Sequence, residues 1–258
     1  MFCVSPTQIK AGDLPGRPAN DRFCLRSIIE YQAHSLCSRI EFEMGLVNQS
    51  IAWHRTEIGG GIVEALGGGF RLTVPPTPAT RYADAQISSY QGRADFNFRP
   101  PLRMNVRAWL EGKQAVGTAG FGFWNHPFAP GERGFRLPQA AWFFFGSPPN
   151  DMRLALDVAG HGWKCATIDA TRPAFFALLP TAPLGFLLMR VPALYRRLWP
   201  IAQRAINVSE FALETARLYE PHHYNLEWTP GQVIFSVDGQ RVHTAGVAPR
   251  GPLGFIAW

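Results

Sequence analysis

The aromatic run Trp142-Phe143-Phe144-Phe145, inside PQAAWFFFGSPP, is the densest set of side chains able to hold a ligand. Successive residues of an extended chain face opposite ways. Gln139, Ala141, Phe143 and Phe145 therefore share one face, and Ala140, Trp142 and Phe144 the other. A sandwich strand sends only one face into its core. The remaining rings would line an apolar cleft, so ligand contact is expected from among these four aromatics.

Acids that might do chemistry elsewhere are Asp84, Asp151, Asp157 and Glu227. Glu227 shares a face with Asn225, opposite Tyr224, Leu226 and Trp228. Isolated in apolar surroundings, such a carboxyl has a raised pKa and suits proton donation. Glu227 and Asp84 are thus the candidate catalytic acids, with a solvated surface position as the competing reading. His222 and His223 are adjacent, so in a strand they point to opposite faces and do not chelate one ion. Cys3, Cys24, Cys37 and Cys165 show no CxxC spacing. Neither a metal nor a cofactor is expected, and the thiols read as free.

The elements that must position these groups are mostly strands. IAWHRTEI is bounded by Gly59–Gly61, GIVEAL by Gly67–Gly69, and FRLTVPP ends on prolines that stop a strand. In LRMNVRAWL, Leu102, Met104, Val106 and Ala108 alternate with Arg103, Asn105, Arg107 and Trp109, a period of two with one face in the core. Pro230-Gly231 and Asp238-Gly239 supply turn chemistry around QVIFSV. Residues 1–40 read as an N-terminal extension with a weak helical stripe at Leu25, Ile28, Ile29 and Gln32.

A length of 258 residues, 13% aromatics, 17% charged residues, Gly 25 and Pro 22 suit one all-β domain of many short strands. The net charge of +6 permits anionic partners. The arginines are dispersed and no nucleic-acid motif occurs, so nucleic acid is not an expected partner. The start lacks a basic region followed by an apolar one, so a cytoplasmic location is expected.

Residues 173–189, PAFFALLPTAPLGFLLM, carry no charge, and VPALYRRLWPIAQRAINVSEFALETARLYE reads as helix. The uncharged run falls short of the roughly 20 residues a spanning helix needs, and prolines interrupt it. The expectation is a helical insertion at about 172–215 acting as a lid. Phe186 and Leu187 would touch an apolar ligand or a membrane surface, with Arg190, Arg196, Arg197 and Arg204 suited to anionic headgroups, or else pack in a dimer contact or on the sandwich.

The stretch HHYNLEWTPGQVIFSVDGQRV resembles the closing strands of glycoside hydrolase family 16, in the concanavalin A-like lectin/glucanase superfamily. His222, Tyr224, Trp228, Thr229, Pro230, Ile234, Phe235, Val237, Asp238 and Gly239 carry the likeness. The likeness covers roughly residues 50–171 and 216–258 and implies a two-sheet antiparallel jelly-roll sandwich, with the domain expected over residues 41–258. It also implies a ligand role for Trp124 and Asn125, in GTAGFGFWN, where that family has sugar-contacting aromatics. The family places E-x-D-x-(x)-E on one strand, because retaining hydrolysis needs two carboxylates about 5–5.5 Å apart. The strand in the matching place has no Asp or Glu between Arg133 and Asn150. The leading expectation is a non-hydrolytic protein with an apolar or amphipathic small molecule in its cleft. The alternative is an enzyme, either a divergent glycoside-active protein or a catalyst using an isolated carboxyl. A scaffold without a ligand is a third.

Overall fold

The computed structural model describes residues 38–44 and 51–258, apart from 79, 113–114, 128–135, 151–152 and several positions between 172 and 205. The extension at residues 1–37, with Cys3, Cys24 and Cys37, lies outside the described residues. The chain divides into two units, Met1–Ser35 and Leu36–Trp258, and the second carries the sandwich.

Its strands are β1 (Ser38–Met44), β2 (His54–Ile58), β3 (Ile62–Leu66), β4 (Gly69–Val74), β5 (Asp84–Ser88), β6 (Leu102–Glu111) and β7 (Thr118–Trp124). They continue with β8 (Gln139–Gly146), β9 (Gly162–Asp169), β10 (Asn207–Ala212), β11 (His222–Trp228), β12 (Val233–Val237), β13 (Gln240–Ala245) and β14 (Gly254–Ala257). They form two seven-stranded sheets, in the orders β13-β12-β11-β6-β1-β4-β3 and β10-β9-β8-β7-β14-β5-β2. Neighbours pair antiparallel throughout. The all-β, two-sheet antiparallel jelly-roll expectation therefore holds.

The alternation read in the sequence sets which side chains enter the core. Met104, Val106 and Ala108 of β6 and Tyr224, Leu226 and Trp228 of β11 are buried against Phe121, Phe123, Phe143 and Phe255 of the other sheet. The Phe143 ring meets Phe235 edge-on at 5.2 Å and Tyr224 at 5.1 Å, which ties the two layers together. Cys165 is a free, buried thiol, and burial pushes its pKa above the ordinary range. Asp238 and Gly239 both take positive φ, at 50° and 77°, as a two-residue hairpin turn that follows the strand twist requires.

Three local expectations are corrected. β1 precedes IAWHRTEI, the first strand expected, and it sits between β6 and β4. β9, which carries Lys164 and Cys165, was not separated as a strand. Residues 207–212, read as helix, form β10 and pair with β9 from Asn207↔Asp169 to Ala212↔Lys164. Helix-forming Glu210 and Ala212 yield there to the pairing, since tertiary context overrides propensity. In the connection before β10, the described elements include a 3-10 turn, Leu179–Thr181, and a seven-residue helix, Ala182–Leu188. No helix among the described residues is long and apolar enough to cross a membrane.

Candidate functional site

The outward face of the second sheet carries an aromatic cluster separate from the core between the sheets. Strand register sets them in layers. Ile168, Ala140 and Trp124 align across β9, β8 and β7, and Val208 of β10 and Gly254 of β14 extend that layer. The next layer runs Glu210, Ala166, Trp142, Gly122 and Ile256. The third sets Lys164 beside Phe144 and Gly120. On β7, β8 and β9 this face carries no Asp or Glu.

Trp142 lies between two small neighbours, Ala166 and Gly122, which leave room for its indole to spread over the sheet. It stacks on Trp124 at 5.7 Å and 30°, and meets Phe144 at 5.9 Å and Trp258 at 5.8 Å. Trp124 approaches the His126 ring at 4.9 Å, and its indole N–H donates to Tyr90 Oη at 2.8 Å. Tyr90 in turn packs edge-on against Phe96 at 4.9 Å. The result is one continuous aromatic row, in which Trp142, Trp258 and His126 keep partial exposure. The Trp142 indole N–H is buried without an acceptor among the described residues, an uncommon state for a polar group.

One end of this face holds a buried ion pair that sequence reasoning missed. Lys164 Nζ lies 2.8 Å from Glu210 Oε1, with side chains 1% and 0% exposed. Lys164 also donates to the Ala159 carbonyl at 2.8 Å and sits 4.7 Å from the centre of the Phe144 ring. Glu210 Oε2 accepts the backbone N–H groups of Leu154 and Ala155. Burial raises the Glu210 pKa, against the pull of Lys164 and those two N–H donors. The pair thus straps residues 154–159 over β9 and β10.

The structure brings some of the expected ligand-binding residues together and separates others. Trp124, Trp142 and Phe144 share the outward face, although Phe144 is covered beside Lys164. Phe143 and Phe145 point the other way, into the core, so they do not line this face. Asn125 is occupied with its own turn. Its amide donates to the Leu137 carbonyl and its side-chain oxygen accepts the Gln139 N–H, closing the β7–β8 connection. Leu187 is exposed on the helix Ala182–Leu188, and the Phe186 side chain lies outside the described residues.

Neither candidate acid joins the row. Glu227 is on the outer face of the first sheet, 43% exposed and 3.4 Å from Arg103 Nε, so it is not isolated in apolar surroundings. Asp84 stands at the start of β5, where Tyr82 Oη donates to it at 3.1 Å. Burial raises its pKa, with the Tyr82 hydrogen bond opposing.

His222 and His223 serve the turn after β12. The His222 ring contacts Asp238 at 2.5 Å, while the other Asp238 oxygen accepts the His223 N–H. Those bonds hold the Asp238 carboxyl below its ordinary range although its small burial works the other way. A groove of about 490 Å³ opens there, lined by Glu214, Arg217, Glu220, His222, Asp238 and Gln240. Its mixed charges make it unlike the aromatic row.

His126 gives the row a measurable pH signature. Burial is the largest cause that lowers its pKa to about 4 from 6.5. The folded chain then holds fewer protons than the unfolded chain between those values. That stability is present above pH 6.5 and is lost as pH falls through about 4. His126 adopts φ of 40°, which Asn tolerates. His126→Asn should therefore flatten the dependence of the urea midpoint on pH between 6.5 and 4. An unchanged slope would show that the imidazole is not held neutral.

No family model matches the chain, and no curated protein matches it. Among solved structures it is similar to a Bacillus licheniformis beta-glucanase at 15% identity and a TM-score of 0.44. That likeness covers 84% of this chain and 82% of the other.

Proposed function

We propose that this chain is a non-hydrolytic jelly-roll protein that holds an apolar or amphipathic small molecule on the aromatic row. The observation that carries this reading is the composition of the β7–β9 outward face. Where a retaining hydrolase needs two carboxylates, that face has indoles, phenyl and small side chains, and no acid. Glu210, at the border, is committed to Lys164. An aromatic row with one unpaired indole N–H suits a ligand with an apolar body and a single acceptor group.

The segment expected as a helical insertion at about 172–215, of which residues 207–212 are strand, is proposed to border the row through the connection before β10. The strands that flank the connection support this, since Asp169 of β9 pairs with Gln139 of β8 and Asn207 of β10 pairs with Asp169. Asp169 and Asn207 lie at the end of the sheet that carries Trp124 and Ala140, and Ile206 packs with that cluster. Asp84 is what remains for the enzymatic alternative, as an acid with a raised pKa.

A binding titration with a fluorescent fatty-acyl probe tests the proposal. The full chain should bind it and quench its own Trp emission, and Trp142→Ala should weaken binding at least about tenfold through the lost buried ring area. The same preparation should release no reducing ends from β-glucan or agar. Probe affinity unaffected by Trp142→Ala, or sugar release abolished by replacing one acid, would sink the reading.

A further inference from the structure

We infer that the connection between β9 and β10 lies on the surface of an anionic lipid bilayer, docking without spanning it. This goes beyond the ligand reading above and does not depend on it. The first observation is an exposed apolar stripe. Leu184 and Leu187 are 60% and 59% exposed, and Leu188 and Val191 are exposed with them. The spacing i, i+3, i+4, i+7 puts all four on one side of a helical path. Leu184, Leu187 and Leu188 lie in the helix Ala182–Leu188, and the Val191 N–H donates to Leu188 O just beyond it. Phe176 and Ile201, in the same connection, are exposed too. Scattered apolar side chains on a surface need no explanation, but a contiguous set marks an interaction site.

The second observation selects the occupant. Between Asp169 and Glu210 the sequence has five arginines, at 172, 190, 196, 197 and 204, and no acid and no lysine. The one described arginine among them, Arg197, is exposed. A second copy of this chain would bring five more positive charges against these five, with no acid in the connection to answer them. A bilayer surface answers both features at once, with acyl chains for the exposed leucines and phosphate headgroups for a segment rich in arginine and free of acid. No helix among the described residues is long and apolar enough to cross, so the inference is of a connection lying in the plane of the interface.

Vesicle flotation with the full chain tests this. Binding to phosphatidylcholine vesicles containing phosphatidylglycerol should be clear, weak on phosphatidylcholine alone, and reduced by salt over a Debye length of about 8 Å at physiological strength. The double variant Leu184→Glu with Leu187→Glu should lose roughly a hundredfold in vesicle affinity, about tenfold per leucine withdrawn from the interface. Both positions are exposed, so its circular dichroism should match the parent chain. Trp142→Ala should bind vesicles as the parent chain does, which keeps this test separate from that of the aromatic row. Equal binding to both vesicle types, no binding to either, or a dimer abolished by the double variant would overturn the inference.

Discussion

Lys164→Met is expected to destabilise the fold by about 3–5 kcal/mol, read as a lower urea midpoint at an unchanged slope. The lysine stem would be replaced by a methionine of similar length, so little packing is lost. What is lost is the cation 2.8 Å from Glu210, and with it the strap to the Ala159 carbonyl. Glu210 would then be a buried carboxylate with only the Leu154 and Ala155 N–H groups to hold it. Removing one partner of a buried pair is costly because of the charge left behind, whereas replacing both is nearly neutral. Lys164→Met combined with Glu210→Leu should accordingly recover most of the stability. If the double variant proved no better than the single one, the pair would not be the source of the loss.

The same residue predicts how that loss changes with pH. Glu210 has a raised pKa in the folded chain, so the folded chain binds more protons than the unfolded chain between the ordinary value of 4.5 and the raised one. Stability from that proton is present below 4.5 and is lost as pH rises through the folded value. Without Lys164 the carboxyl titrates still higher. The deficit of Lys164→Met should therefore be small in acid, where Glu210 is neutral, and full at neutral pH.

Glu210 also shows where sequence reading ran out. NVSEFALETARLYE is rich in helix formers, and nothing local opposes a helix there. What decides it is pairing with β9, a partner separated by the whole connection from Asp169 to Asn207. The segment SRIEFEM alternates Ile40, Phe42 and Met44 with charged residues, a legible strand signal obscured by the irregular chain before it. By contrast, the two faces of β8 followed directly from the period of two. Which face was core did not, because both carry aromatics and only the opposing sheet distinguishes Phe143 from Phe144. Asn125 was drawn in by its neighbour Trp124, yet its amide closes a turn. Lys164 and Glu210 are 46 residues apart by number, so no local motif joins them.

Gly122→Ala is expected to cost about 2–6 kcal/mol, since overpacking and positive-φ strain act together at that position. Gly122 adopts φ of 149°, a backbone state that side chains disfavour. A Cβ built there would lie 2.5 Å from the Ala141 carbonyl oxygen and 2.6 Å from both Cα and Cβ of Trp142. Two of those three atoms are backbone, so the clash cannot be relieved by turning a side chain. Relief requires β7 to move away from β8, the strand pair that carries the aromatic row. The variant should therefore lose the Trp124–Trp142 stack along with stability, and near-ultraviolet circular dichroism would report the lost aromatic coupling. Gly185 supplies the contrast. An added Cβ there meets nothing within 4 Å, inside the helix Ala182–Leu188. Gly185→Ala should leave the row intact and keep stability unchanged or raise it by up to about 1 kcal/mol, because alanine favours helix. If Gly122→Ala unfolded at the same urea concentration as Gly185→Ala, the close approach of Trp142 to the β7 backbone would be wrong. The pairing of β7 with β8 at Gly122 and Trp142 would then not be the constraint that holds the row together.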